Sequence, residues 1–373
     1  MSTLLQIVDA LSRAAAAGES VVLATVVRVV GSSYGGVGAR MLVRVDGTTV
    51  GLVSGGCLES DLALHARRVH ASGRAELVAY DTRADDDAVW GLGLGCNGLI
   101  EILLQPLVPA AAQATATLLR RALHADEPRI LATVVRTDDS AEAPPVGWQT
   151  LLGDDATLPG LEAHADAARD AGRRGLVATV GACDVAFELV RPVTRLVVCG
   201  SGPDAVPVVR LATQLGWDVT VVDHRPVAHA HPERFSGAAL VECADASRLG
   251  ASVALTARTA VVVMSHHFGR DTAYVGALLS TDVAYVGVLG PRSRSDRMLA
   301  ELATRGRVPD TMGARLYGPI GLDLGGDGPE AIALAIVSEV AAVTAGRTGG
   351  SLRDRTAPLH ASAAPARSAP HGA

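Results

Sequence analysis

Residues 4–17 carry apolar side chains at helical spacing and stop at Gly18, which predicts an amphipathic helix. From residue 21 the pattern changes. Positions 21–30 form a β-branched run ending at Gly31, and the runs 41–45 and 48–53 flank Asp46-Gly47, a strong β-hairpin signal. A glycine-studded stretch, 31–38, separates the first strand from the hairpin, and a helix is expected over 60–71. The strand Val22-Leu-Ala-Thr-Val-Val-Arg28 returns as Ile130-Leu-Ala-Thr-Val-Val-Arg136, while Gly38, Leu42, Asp46, Thr48 and Gly51 match Gly147, Leu151, Asp155, Thr157 and Gly160 at one constant spacing. This predicts a decayed internal duplication, 20–107 and 129–192, within a first domain of residues 1–193. The second copy lacks the glycine loop, so the chemistry is expected in the first.

At Arg195 a different unit starts. An apolar run over 196–199 leads into Gly200-Ser-Gly-Pro-Asp-Ala205, then a helical stretch to Leu215, then a strand over 217–222 closing on Asp223. Strand, glycine turn, helix and a second strand ending on an acid are the parts of a dinucleotide-binding βαβ unit. Strands are expected at 260–264 and 283–289, and a helix opens with Pro329. The fold class is therefore α/β: an N-terminal α/β domain with a mixed sheet, then a Rossmann-like doubly wound parallel sheet over 194–344. The tail 345–373, rich in Arg, Ala, Ser, Pro and His, reads as disordered.

Composition narrows the chemistry. In 373 residues, 49% hydrophobic, 39 acidic side chains face 33 basic ones for a net charge of −6, so no basic field favours a nucleic acid. Every basic residue is Arg, which removes a Walker lysine, a Schiff-base lysine and a lysine base together. Apolar runs are too short to cross a membrane and no secretory leader pattern opens the chain, so the expected location is the cytoplasm. The five cysteines, Cys57, Cys96, Cys183, Cys199 and Cys243, are widely spaced and form no C-x-x-C pair, which leaves buried thiols or one or two reactive ones.

Three glycine clusters hold candidate chemistry in the first domain. In 31–41, Ser32, Ser33 and the amides up to Gly38 could turn towards one anion, with Arg40 adding a bidentate bond; a tight connection that merely needs glycine is the alternative. In Ser54-Gly55-Gly56-Cys57-Leu58-Glu59, Cys57 would sit at a helix N-terminus, where it could bind a soft metal or carry sulfur, and Glu59 could cap the helix or position a ligand. A small buried hydrophobe is the other reading of Cys57. The segment 90–101 alternates glycines around Cys96 and Asn97, either to pack backbone closely or to line a pocket.

In the second domain, Gly200, Gly202 and Asp223 are the candidate nucleotide contacts, with Arg225 able to pair with Asp223 or favour a phosphorylated ribose. Asp204 opposes an anion in that turn unless it caps the helix. Ser265-His266-His267 follows a strand, and His266 is the candidate for proton transfer or metal contact.

Taken in order, Gly31-Ser-Ser with Gly38-Ala-Arg-Met41, Gly55-Gly-Cys-Leu-Glu59, Gly91-Leu-Gly-Leu-Gly-Cys96 with Glu101, the Gly200 turn with Asp223-His-Arg225, Tyr285-Val-Gly-Val-Leu-Gly290, and Gly318-Pro-Ile-Gly-Leu-Asp323 with Pro329-Glu330 resemble the XdhC/CoxI family. The resemblance implies an accessory protein of molybdenum hydroxylases such as xanthine dehydrogenase or carbon monoxide dehydrogenase. Such a protein binds the molybdenum cofactor, a molybdopterin, shields it while it acquires its terminal sulfur, and hands it to the apoenzyme without turnover of its own. On that reading Cys57 meets the metal or its sulfur, Arg40 meets the phosphate, a sulfur-donating desulfurase joins the apoenzyme as partner, and the protein is a homodimer. Two other readings stay open: an NAD(P)-dependent oxidoreductase using the Rossmann-like domain with His266 as proton carrier, and a docking module with a vestigial site.

Overall fold

The computed structural model describes residues 3–31, 35–81, 98–138, 143–154, 158–172, 175–226, 231–306 and 315–356. The chain divides into two compact units between Pro192 and Val193. Among the described residues, no helix is long and apolar enough to cross a membrane.

In the first unit, α1 (Thr3–Ala16) precedes the long strand β1 (Val21–Gly31), the hairpin β2 (Arg40–Val43) and β3 (Thr49–Gly51), α2 (Glu59–Ser72), β4 (Glu76–Asp81) and β5 (Gly98–Leu107). Helix α3 (Pro109–Leu123), which packs on α1, then leads to β6 (Arg129–Thr137), β7 (Gln149–Leu151), α4 (Ala165–Ala171), β8 (Leu176–Val180) and β9 (Cys183–Val190). The expected mixed sheet takes the form of two antiparallel sheets, ordered β3-β2-β1-β5-β4 and β7-β6-β9-β8. Continuous apolar runs mark burial on both faces rather than strand direction, and Val21–Val27 of β1 is buried throughout.

The two sheets repeat local detail. The β1–β5 ladder slips between Val26 and Arg28, and the β6–β9 ladder slips between Val134 and Arg136. Gly38 N–H donates to the Val26 carbonyl at 2.9 Å, and Gly147 N–H donates to that of Val134 at 2.8 Å. One small cluster, Val27, Leu103, Val135 and Ala186, draws on both sheets and joins them.

The second unit contains β10 (Arg195–Cys199), α5 (Ala205–Gln214), β11 (Asp218–Asp223), β12 (Ala239–Glu242), the short α6 (Leu249–Ser252), β13 (Thr259–Val263), α7 (Phe268–Leu278), β14 (Tyr285–Val288), α8 (Arg292–Thr304), β15 (Leu316–Tyr317) and α9 (Pro329–Thr344). All six strands run parallel in the order β12-β11-β10-β13-β14-β15. Helices α5 and α9 cover one face through Val208, Val209, Ala333 and Ile336, while α6, α7 and α8 cover the other through Leu249, Tyr274, Leu278 and Met298. The order reverses between β10 and β13, which places a ligand crevice beyond their carboxyl ends. Of the segment 345–373 expected to be disordered, residues 345–356 are described and include a short 3-10 turn at Leu352–Asp354. The remainder lies outside the described residues.

Candidate functional site

In the first unit the loop between β3 and α2 is pinned at both ends. Glu59 at the start of α2 reaches back to accept from the Val53 and Ser54 amides at 3.3 and 2.8 Å and from Ser54 Oγ at 2.6 Å. Ser54 Oγ accepts in turn from the Leu58 amide at 3.1 Å, and Leu58 is 2% exposed. Burial raises the Glu59 pKa, but the Ser54 and Val53 donors outweigh it and hold the carboxyl below its usual range. Glu59 makes no side-chain cap bond to its own helix; its carboxylate reaches back to the end of the preceding segment and fixes the turn that leaves Gly55, Gly56 and Cys57 exposed. Among the described cysteines Cys57 alone is exposed; Cys183, Cys199 and Cys243 are buried.

Gly35 brings the first glycine cluster against this loop: a β-carbon there would sit 2.5 Å from the Val53 carbonyl oxygen. Gly38, with φ +88°, leaves room for the Glu188 carboxylate. Ser32, Ser33, Cys96 and Asn97 lie outside the described residues.

Arg40 does not face a ligand. It is 1% exposed, and its guanidinium forks onto Glu188, Nη1 donating to Oε1 at 2.9 Å and Nη2 to Oε2 at 2.5 Å. Nη1 also donates to the Gly38 carbonyl at 2.7 Å. The phosphate contact expected of Arg40 is therefore corrected: Glu188 on β9, in the second sheet, holds this cation inside the unit.

Two cations that stay partly open are Arg28 and Arg136. Both bond the buried carboxylate of Glu101, Arg28 Nη1 at 3.4 Å and Arg136 Nη2 at 3.1 Å, and Arg136 lies 3.6 Å from Asp184. Their side chains are 46% and 53% exposed. Neither stands among the residues expected from the sequence, although both close the repeated strand motif, and that shared position is the signal by which they could be found.

In the second unit Gly200, with φ +128°, lets β10 end against β13; a β-carbon there would lie 2.6 Å from the Met264 carbonyl oxygen. Asp223 at the end of β11 is 6% exposed and its carboxylate is fully engaged. It accepts from the Ser201 amide at 3.1 Å and from Ser201 Oγ, and from Arg225 through the amide, Nε and Nη2 at 2.9, 3.0 and 2.9 Å. Arg225 Nη2 also donates to Ser201 Oγ at 2.7 Å. Gly202 lies beneath the Asp204 carboxylate, which accepts from His266 Nε2 at 2.7 Å. Ser265 and Arg294 hold Asp271, which is 1% exposed. Among the described residues no group of three or more His, Cys, Asp and Glu side chains is arranged to hold a metal.

The Asp223 network makes stability depend on pH. Burial raises its pKa, yet the Arg225 and Ser201 donors overcome this and hold the carboxyl well below the usual carboxylate range. Because the folded pKa lies below the unfolded value of about 3.9, the stabilisation is complete above that value and disappears as pH falls through it towards the folded pKa. Thermal unfolding should show Asp223→Asn less stable than the parent at pH 7, with the difference shrinking below about pH 4. A difference that stays constant down to about pH 2 would exclude this linkage.

Comparison with known proteins places these features. The family model described as the XdhC Rossmann domain matches residues 196–340, and that described as the XdhC and CoxI family matches 14–81. The chain is 31% identical over 325 residues to a Bacillus subtilis (strain 168) protein named as a probable component of xanthine dehydrogenase, covering 86% of this chain and 92% of that one. It is 26% identical over 327 residues to "Molybdenum cofactor insertion chaperone PaoD" of Escherichia coli (strain K12), covering 87% and 84%. A crystal structure titled as a xanthine dehydrogenase from Bacillus halodurans superposes with a TM-score of 0.69 at 28% identity, over 93% of this chain and 97% of that one. The chain belongs to the XdhC and CoxI family.

Proposed function

We propose that this protein binds the molybdenum cofactor and inserts it into the apoenzyme of a molybdenum hydroxylase of the xanthine dehydrogenase or carbon monoxide dehydrogenase type. The observation that carries this reading is Cys57, exposed on a glycine turn that Glu59 and Ser54 hold rigid and that the Gly35 backbone adjoins. Thiolate sulfur is a ligand of choice for soft transition-metal centres, and glycines on either side let a bulky tricyclic ligand approach the main chain. The relative named as an insertion chaperone supports the same role.

With Arg40 held by Glu188, the phosphate is assigned to Arg28 and Arg136, the pair brought together on one carboxylate. Each is about half exposed, and Glu101 fixes both guanidiniums without burying them. Ser32, Ser33, Cys96 and Asn97 are assigned to the same cargo. The cofactor meets a sulfur at the metal end and paired guanidiniums at the phosphate end, and the protein excludes water between them while the cofactor matures. A sulfur-donating desulfurase and the apoenzyme are its successive partners, it acts as a homodimer, and it works in the cytoplasm. The oxidoreductase reading needs an unoccupied Asp223 and an open glycine turn, and the bonds to Arg225, Ser201 and His266 weigh against both.

The test is expression in a host that synthesises the cofactor, followed by metal analysis and fluorescence assay of oxidised pterin on the purified protein. Molybdenum and pterin in equal molar amounts, transferable to an apo-hydroxylase with recovery of its activity, are expected. A preparation containing neither, from cells whose own molybdoenzymes are active, overturns the proposal.

A further inference from the structure

The crevice at the carboxyl ends of β10 and β13 has the layout of a dinucleotide site, yet the protein's own side chains fill the places such a ligand would take. Asp204 is the residue before α5, where a side-chain oxygen ordinarily accepts from the first free amides of the helix. It makes no such bond. Its Oδ1 instead rests on the glycine turn, 2.6 Å from where a β-carbon of Gly202 would be, and its Oδ2 accepts from His266 Nε2 at 2.7 Å. His266 comes from the far side of the switch point, just after β13, and holds a left-handed backbone with φ +61°. A non-glycine residue adopts that conformation at a cost, and it persists where surrounding contacts require it.

We propose that Asp204 and His266 form a clasp across the switch point that occupies the phosphate seat, so that Asp204 decides against pyrophosphate-bearing ligands in this Rossmann-type crevice. Three features support it. The carboxylate stands against the second glycine of the turn, where a dinucleotide's pyrophosphate would come close to the backbone. It is an anion, so a ligand phosphate meets like charge where the helix amides would otherwise attract it. The ribose anchor is closed as well, since Asp223 is already bonded to Ser201 and Arg225. The second unit is thus a dinucleotide fold that holds its own anion in place of the ligand's, leaving His266, with a side chain 62% exposed, at the rim of the crevice.

The clasp is separable from cofactor handling by the first unit. Full-length protein, Asp204→Asn and Asp204→Gly are titrated with inorganic pyrophosphate by calorimetry and with NADH by nicotinamide fluorescence. Asp218→Asn, which removes the same charge from the opposite end of β11, serves as control. Both Asp204 variants should bind pyrophosphate and NADH on the order of tenfold tighter than the parent or more, with unchanged melting temperature, while the control gains nothing. Asp204→Gly carries the test if Asp204→Asn folds poorly. Tight binding of either probe by the parent, equal gains in Asp218→Asn, or no gain in folded Asp204 variants overturns the proposal.

Discussion

Replacing Arg40 with Met lowers the stability of the first unit by about 3–5 kcal/mol, the loss expected when one member of a buried ion pair is removed and the other remains. The guanidinium is 1% exposed and the Glu188 side chain 13%, so water solvates poorly what is left behind. The Gly38 carbonyl loses its donor in the same step. A surface pair of similar geometry would contribute at most about 1 kcal/mol. Arg40→Lys should recover little, because a single ammonium cannot meet both carboxylate oxygens along with the Gly38 carbonyl. The double variant Arg40→Met/Glu188→Met should recover most of the loss, since two apolar side chains leave no unpaired charge. Urea unfolding of the full chain, followed by far-UV circular dichroism, should show the first-unit transition moving and the second-unit transition staying. A loss under about 1 kcal/mol would mean that water reaches the pair. A phosphate-binding arginine would give the opposite signature, weaker cofactor retention at unchanged stability.

The fate of Arg40 shows where sequence reasoning runs out. Its neighbours Gly38, Ala39 and Met41 invite the reading of an anion loop, while the partner that decides its role is 148 residues away. Asp204 and His266 are separated by 62 residues, and neither position carries a local pattern that names the other. Elements set by neighbours a few residues apart are legible. Asp46-Gly47 gives its turn with Gly47 at φ +85°, Pro329 starts α9, and the glycine turn with Asp223 at the end of the next strand gives the βαβ unit. Strand direction in the first unit is not legible, because β1 is covered on both faces and its valines lack the alternation that marks a half-exposed antiparallel strand. In the site itself, the place of Cys57 just before a helix follows from the glycines before it and the helical pattern after it, whereas its exposure does not, since a small buried hydrophobe fits the same pattern. The clamp by Glu59 is not legible, since neither a helix cap nor a ligand contact is what forms: the carboxylate turns back to the Ser54 and Val53 amides, whose direction is set by the fold.

Replacing Cys57 with Ala should reduce molybdenum retained per chain at least about tenfold, the equivalent of about 1.4 kcal/mol of lost metal–sulfur interaction, while changing stability by less than about 0.5 kcal/mol. The two effects separate because the side chain is exposed and its loop is held by Ser54, Leu58 and Glu59 rather than by the thiol. Cys57→Ser should behave like Cys57→Ala, since a neutral hydroxyl is a poor ligand for a soft metal centre. Cys183→Ala is the contrasting control: its thiol is 1% exposed in the core of the second sheet, so its removal should cost stability and leave retention unchanged. Glu59→Ala lies between them, because loss of the clamp frees the turn without removing sulfur; retention should fall several-fold and stability by about 1–3 kcal/mol. Metal analysis, pterin fluorescence and thermal melts on the same preparations read all four variants together. Full molybdenum content in Cys57→Ala, with a normal melting temperature, would leave the glycine turn without a ligand and remove the thiol from the proposed mechanism.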